Sequence, residues 1–317
     1  MIRKALVLFA VVLALSGCSI NRLAVRAVSD ALATGGDQPD AFSSDNDPEL
    51  VGDALPFVLK LYDTLLLDDP ENEGLLLSSA SAYVSYANGF LQTRAAMLEQ
   101  SEYEQREKLI ARAKNLYARG RDRALKALEL RYAGFTESVE GEDPAILAET
   151  GAADVPYLYW AAAGWLGAIS TDPFDIGLSM QAERAGALMH RAFELDPDYD
   201  DGAIHEFYIA YYAGLPEGLG GSREKAEHHF ERAVELADGR KVSPYVALAT
   251  SIAVPQQDIR RFADLMEQAL AVDAEAYPRY RLINTIKQEE ARFYLDNLDR
   301  FFVVGLDDLE STEEDTE

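Results

Sequence analysis

Four histidines, at 190, 205, 228 and 229, and a single cysteine, Cys18, are the side chains best suited to metal binding or nucleophilic chemistry. His228 and His229 are neighbours, so on a helix they point about 100° apart and cannot share a metal ion. No further cysteine supplements them, and the spacing of a zinc-protease helix is absent. A nucleophilic triad would need an ordered base. His205 is the histidine beside an aromatic helix face, and a packed or solvated imidazole accounts for it. The run D-P-D-Y-D-D-G, Asp196 to Gly202, imitates the first acidic positions of a calcium loop. Its glycine comes one residue late and its twelfth position is Phe207 rather than Glu, so a turn between helices explains it better. The D-N-D run before Pro48 reads as a capping turn for the same reason. G-L-P-E-G-L-G-G-S, Gly214 to Ser222, lacks the Gly-Lys-Ser/Thr ending of a phosphate loop. These residues give no catalytic set, no metal site and no cofactor.

What remains is aromatic helix surface. Tyr83 and Tyr86 with Asn88, Tyr157 with Trp160, and Tyr208 with Tyr212 repeat a tyrosine-bearing face along the chain. A tyrosine buries its ring and keeps a hydroxyl for a partner, which suits a cavity for a small, partly apolar ligand. Asn88 and the hydroxyls would orient the polar end of such a ligand. The alternative is that these rings simply fill the core. Trp160 and Trp165 lie about 140° apart around a helix, so at most one can occupy the core centre.

The elements that must carry these residues are helices. In Gly214 to Leu236 the glycines mark a turn, Ser222 can cap a new helix, and Glu224 sits where the helix dipole favours an anion. Ala226, Phe230, Ala233 and Val234 then follow an i, i+4, i+7, i+8 pattern, one apolar stripe. The stretch resembles the second helix of a tetratricopeptide unit. The same frame recurs with Ala185, Met189, Ala192 and Phe193, and with Phe262, Met266, Ala269 and Leu270. A fourth copy, L-K-A-L-E-L at Leu125 to Leu130, lies farther upstream. Their separations are irregular against about 34 residues for the ideal repeat, so the array is degenerate.

Helix starts are signalled by Asp47-Pro48-Glu49, Asp143-Pro144, Asp154 with Pro156, Asp172-Pro173 and Ser243-Pro244. Helices are expected over Leu55 to Leu67, Gly74 to Met97, Glu102 to Arg131 and Tyr277 to Val304. No β-alternation persists, and the expected fold is all-α, with antiparallel helix pairs stacked as a tetratricopeptide-like superhelical array. The stretch Pro156 to Ser170 is apolar nearly all round, hence buried, and too short to span a bilayer.

At the start of the chain, Arg3 and Lys4 precede an apolar run and L-S-G-C ends at Cys18, a bacterial lipobox. Residues 1–17 read as a lipoprotein signal peptide and 18–41 as anchor and tether, with the Cys18 thiol carrying the lipid. Residues 42–305 form the helical domain and 306–317 an acidic, disordered tail. With Cys18 committed, stability rests on packing. A net charge of −26 argues against nucleic acid and against docking on anionic headgroups, so membrane attachment depends on the covalent anchor. The basic residues of the Glu102 to Arg131 stretch alternate with glutamates and describe a solvated helix face.

The lipobox, then F-S-S-D-N-D-P-E-L, S-S-A-S-A-Y-V-S-Y-A-N-G-F and F-Y-I-A-Y-Y-A-G-L-P-E-G-L-G-G-S-R-E-K-A-E, occur in an order that resembles the TatT family, the T components of tripartite ATP-independent periplasmic (TRAP) transporters. The resemblance implies a non-enzymatic helical lipoprotein with a pore or cleft, docking a periplasmic solute-binding subunit. It also implies a homo-oligomer, with a trimer the form the family suggests, and it transfers no individual site residue. Ser19 after the cysteine points to the periplasmic leaflet of the outer membrane. The competing reading is a stand-alone ligand-carrying or outer-membrane-associated tetratricopeptide lipoprotein. Adjacent solute-binding and permease genes would separate the two.

Overall fold

The computed structural model describes residues 40–303, apart from 142, 143 and 173. The signal peptide, Cys18, nearly all of the tether and the acidic tail lie outside the described residues, as do Asp143 and Pro173 of two expected helix starts. Among the described residues there are helices and turns but no strand, so the fold is all-α. The helices are α1 (Pro48–Asp68), α2 (Glu73–Tyr86), α3 (Thr93–Met97), α4 (Tyr103–Arg131), α5 (Phe135–Glu140), α6 (Val155–Thr171) and α7 (Ile176–Ser179). They continue with α8 (Ala182–Leu195), α9 (Tyr199–Gly214), α10 (Arg223–Leu236), α11 (Ser243–Leu248), α12 (Val254–Gln256), α13 (Ile259–Ala271) and α14 (Arg281–Asp296).

Several starts follow the local chemistry. The Asp47 carboxylate accepts from the Leu50 amide at 3.0 Å, and the Ser222 hydroxyl from the Lys225 amide at 3.2 Å, each satisfying an orphan donor of a first turn. After Asp172, the cap is Asp175, which accepts from Leu178 at 3.0 Å and opens α7. Two boundaries differ from expectation. Helix α1 begins at Pro48 and runs through Pro56 to Asp68 without a break. The return helix expected over Gly74 to Met97 is interrupted by a π-helical turn, Ala87–Gln92, between α2 and α3. A second π turn, Ala249–Ala253, separates α11 from α12.

The chain divides into two compact units. One contains Gly52–Asn88 and Ala111–Leu188. Within it α4 runs antiparallel to α2 and α6: Gly120 of α4 meets Ala80 and Val84, Arg131 meets Glu73, Gly164 of α6 meets Tyr117 and Arg121, and Arg131 meets Tyr157. A Cβ on Gly164 would stand 2.8 Å from the Arg121 nitrogen, and one on Gly167 2.4 Å from the Tyr117 ring. Only glycine lets these backbones approach so closely. Trp165 is 1% exposed while Trp160 is half-buried, which resolves the geometry expected of the two tryptophans.

The other unit holds residues 40–51, Gly89–Ile110 and residues 189–303. Its frame is a helical hairpin. Gly202 at the start of α9 meets Ala233 and Leu236 of α10, Tyr208 packs on His229, and Tyr212 meets Lys225, so α9 and α10 are antiparallel. Asp200, Asp201 and Gly202 are left-handed, with Gly202 at φ 90° and its missing Cβ 3.1 Å from the Ala233 Cα. Glycine is required there on both counts. The rest of the core joins α11, α13 and α14, with Val246, Leu248, Ile252, Phe262, Met266, Ala291 and Tyr294 buried together. Asn284 is fully buried and ties α14 to the chain before α11, accepting from the Val242 amide at 3.0 Å and donating to the Arg240 carbonyl at 2.8 Å.

Candidate functional site

The hairpin of α9 and α10 concentrates aromatic side chains because both helices place rings at i and i+4 or across the pair. Phe207 stacks on Tyr211 with centroids 5.7 Å apart, and Tyr208 on Tyr212 at 5.3 Å. Tyr208 is buried, and burial pushes its hydroxyl pKa up, with Tyr212 and Tyr211 adding to the shift. Tyr212 is half-buried and lies flat against the His229 imidazole at 5.5 Å, with the Lys225 amine 5.0 Å from its ring centroid. Phe193 of α8 meets Tyr208, His205 and His229 edge-on. The result is a layer of rings whose buried side is Tyr208 and whose partly open side is Phe207, Tyr211 and Tyr212.

Inside that layer His205 and His229 face one another, Nδ1 to Nδ1, at 2.8 Å. The two imidazoles are 4% and 8% exposed. Burial lowers both, to about 4, and the cationic Arg232 at His205 and Lys225 at His229 push in the same direction. The sequence reads His205 as a packed or solvated imidazole; it is packed, and its partner His229 is not signalled by local spacing. The available signal was position: His205 and His229 stand at similar distances on either side of the Gly214 to Ser222 turn. His228 is exposed, as the helical angle from His229 requires. Among the described residues no group of three or more His, Cys, Asp or Glu is placed to hold a metal.

The D-P-D-Y-D-D-G run makes the turn into α9. Asp200 and Asp201 both bind the Arg279 guanidinium, the latter at 3.1 Å. Tyr280 also donates to Asp201. The buried Lys241 amine donates to the Asp200 carbonyl at 2.7 Å and to Glu206 at 3.1 Å. These carboxylates are occupied in clasping the hairpin base to the segment before α14.

In the other unit the five remaining candidate residues have defined partners. Tyr83 is buried and donates to Asp63 at 2.9 Å, while Arg123 holds the other oxygen of the same carboxylate at 3.0 Å. Tyr86 is buried. Tyr157 is buried beneath the Arg131 guanidinium, 4.3 Å from the ring centroid, and its hydroxyl accepts from Arg131 at 3.3 Å. Trp160 is half-buried against Tyr159 with centroids 5.0 Å apart. Asn88 is exposed at the π turn and hydrogen-bonds the hydroxyl of the buried Tyr117. Arg131 also binds the buried Asp154 at 2.5 Å and Glu73 at 2.7 Å. Burial opposes ionisation of Asp154, yet bonds from the Gly151 amide, Tyr132 and Arg131 hold its carboxyl below the ordinary range. Tyr83 and Tyr157 thus have their hydroxyls engaged, while Trp160 in this unit and Tyr212 in the other keep part of their rings accessible.

A family model described as TRAP transporter T-component matches residues 44–302, nearly the whole described chain. A protein of Treponema pallidum (strain Nichols), named only as uncharacterized, is 32% identical over 310 residues, covering 93% of this chain and 96% of its own length.

Proposed function

The chain belongs to the TRAP transporter T-component family, and on that premise we propose that it is a lipid-anchored periplasmic scaffold that docks the solute-binding subunit of its transporter. Membership makes it a transporter-associated, periplasmic protein rather than one of an enzyme family, and implies association with other TRAP subunits. No helix among the described residues is long and apolar enough to cross a membrane. In our reading the Cys18 lipid, in the periplasmic leaflet of the outer membrane, therefore supplies the attachment. Further parts of the reading are a homo-oligomer and a small, partly apolar ligand held or passed along the tyrosine-bearing faces. Tyr208 and Tyr212 carry such a face in one unit, and Tyr83, Tyr86, Asn88, Tyr157 and Trp160 belong to the other. We also read the hairpins as tetratricopeptide-like, because the equivalent positions Ala192, Ala233 and Ala269 are all fully buried.

The observation that carries this reading is the family match across residues 44–302, which takes in both units rather than a generic repeat alone. Affinity capture with the delipidated protein from periplasmic extract, read by mass spectrometry, tests it. Recovery of an extracytoplasmic solute-binding subunit is expected. Recovery of a bound small molecule without that subunit would favour the stand-alone carrier. Replacing Cys18 with Ala should abolish acyl labelling and release the protein from membranes, and labelling that survives would remove the anchor from the account. Converting the half-buried Tyr212 to Ala should weaken ligand retention far more than it lowers the melting temperature. Equal losses would identify this ring, with Tyr208, as core.

A further inference from the structure

We propose that His205 and His229 form a proton-operated latch, closed when the pair shares one proton and opened by a second, that releases the α9–α10 hairpin and its tyrosine layer in mildly acidic conditions. The inference does not depend on the scaffold reading, because it concerns the hairpin alone. Its geometric basis is the 2.8 Å contact between two Nδ1 atoms. At that distance one nitrogen must carry the proton and the other must accept it, so the pair holds a single N–H···N bond across the two helices. Protonating the acceptor sets two N–H donors against each other and leaves a charge among the rings of Phe193, Tyr208 and Tyr212, and among the described residues no carboxylate hydrogen-bonds either imidazole. A buried charge without a counter-charge is costly, and the hairpin can relieve it by opening.

The groups around the pair push in the same direction. From α10, Arg232 and His228 act on His205, and His228 and Lys225 act on His229, all against further positive charge. Asp198, just before α9, is the acidic group that opposes them at His205, and it is itself shared with Arg232 at 3.6 Å. The α8 contact is the Phe193 ring, with Glu194 of that helix acting on Tyr208, and the titratable residue of α11, Tyr245, packs on Phe230. Freed imidazoles take up protons near 6.5, while the folded pair resists to about 4, so the open hairpin binds more protons throughout that window. Stability contributed by the pair is complete above pH 6.5 and drains away as the pH falls towards 4.

Hydrogen exchange on the full chain, corrected for intrinsic rates, tests the latch. Between pH 7 and pH 5 the protection of amides in residues 199–236 should fall by about twenty-fold for each imidazole that gains a proton on opening, while α2 and α6 hold theirs. A double variant, His205→Gln with His229→Gln, can keep an amide bond across the helices but cannot titrate, and its hairpin protection should lose the pH step. Proton-NMR titration of the unmodified chain keeps the test open should that variant not fold: two of the four imidazoles should stay neutral down to the pH at which hairpin protection collapses. Unchanged protection at pH 5, the same step in the double variant, or four imidazoles titrating near 6.5 would each overturn the latch.

Discussion

The two compact units close their interiors by different means. In the unit built on α2, α4 and α6, glycines bring backbones together and carboxylate–guanidinium pairs lock the helices: Asp63 with Arg123, and Asp154 and Glu73 with Arg131. In the α9–α10 hairpin of the other unit rings do the filling, and the buried polar contact between the two helices is a neutral histidine pair, with the charged pairs Lys241–Glu206 and Arg279–Asp201 confined to the hairpin base. The first solution is rigid in shape and depends on charge. The hairpin is adaptable in shape and depends on its histidine pair remaining uncharged. A ligand face is better served by the second, since offset and edge-on rings can re-pack at small cost while a glycine-mediated backbone contact cannot move without separating the helices.

The largest effect should come from removing a charge partner in the first unit. Asp154 is buried and accepts from Arg131, Tyr132 and the Gly151 amide. Asp154→Ala leaves the Gly151 amide and the Tyr132 hydroxyl without their acceptor and Arg131 with Glu73 as its remaining carboxylate, at a cost of about 3 kcal/mol. Chemical denaturation followed by tryptophan fluorescence reports this unit, because Trp160 and Trp165 both lie in it. A loss under about 1 kcal/mol would mean that glycine packing alone holds the unit, and the contrast drawn above would fail on its charged side.

Next come two overpacking changes, one per unit, each expected at about 1–3 kcal/mol. Gly164→Ala drives a methyl to within 2.8 Å of the Arg121 backbone nitrogen, and Ala233→Phe drives a ring against the Gly202 turn. Hydrogen exchange should place the first loss in α4 and α6 and the second in α9 and α10. If the Ala233 variant repacks with little loss while the Gly164 variant does not, the aromatic hairpin re-forms around an added ring and the glycine-packed unit does not.

These contrasts also explain what could be read from sequence. The all-α class, the Ser222 cap and the stripes through Ala192, Ala233 and Ala269 follow from residue types a few positions apart, and local spacing encodes them. Local spacing also allows at most one of Trp160 and Trp165 at the core centre, but does not say which, and the structure seats Trp165 there. The His205–His229 pair depends on the register of a hairpin, which is fixed by the Asp200–Gly202 turn at one end and the glycine turn at the other. The partners of Tyr83 and Tyr157 come from α1 and α4, distant in the chain. The π turns at Ala87–Gln92 and Ala249–Ala253 have no local composition signal that separates them from α-helix.

Acidification should then part the two units by mechanism. The carboxyls of Asp63 and Asp154 are held below their ordinary value despite burial, by Lys60, Tyr83 and Arg123 at one and by Gly151, Tyr132 and Arg131 at the other. A carboxylate of this kind contributes stability that is complete above its unfolded value, 3.8, and lost as the pH falls below it. Exchange protection in α2 and α6 should therefore persist to pH 4 and decay only below it. Decay of α2 and α6 between pH 6.5 and 4, alongside the hairpin, would show that the two units do not answer to separate titrating groups.

The smallest effect tests the register of the α10 stripe. Glu231 is exposed and lies two positions before the buried Ala233, about 200° around the helix, so its side chain faces away from the Gly202 turn. Glu231→Lys leaves the buried methyl and the histidine pair untouched. It also moves the net charge of −26 towards zero, which slightly eases self-repulsion. The expected change is within about 0.5 kcal/mol, of either sign. Paired with Ala233→Phe in one set of melts, it gives the aromatic unit an inside and an outside within a single turn of helix. A Glu231→Lys loss as large as that of Ala233→Phe would mean that this face of α10 is covered, by another chain or by residues of this one outside those described, since the side chain is open among the described residues.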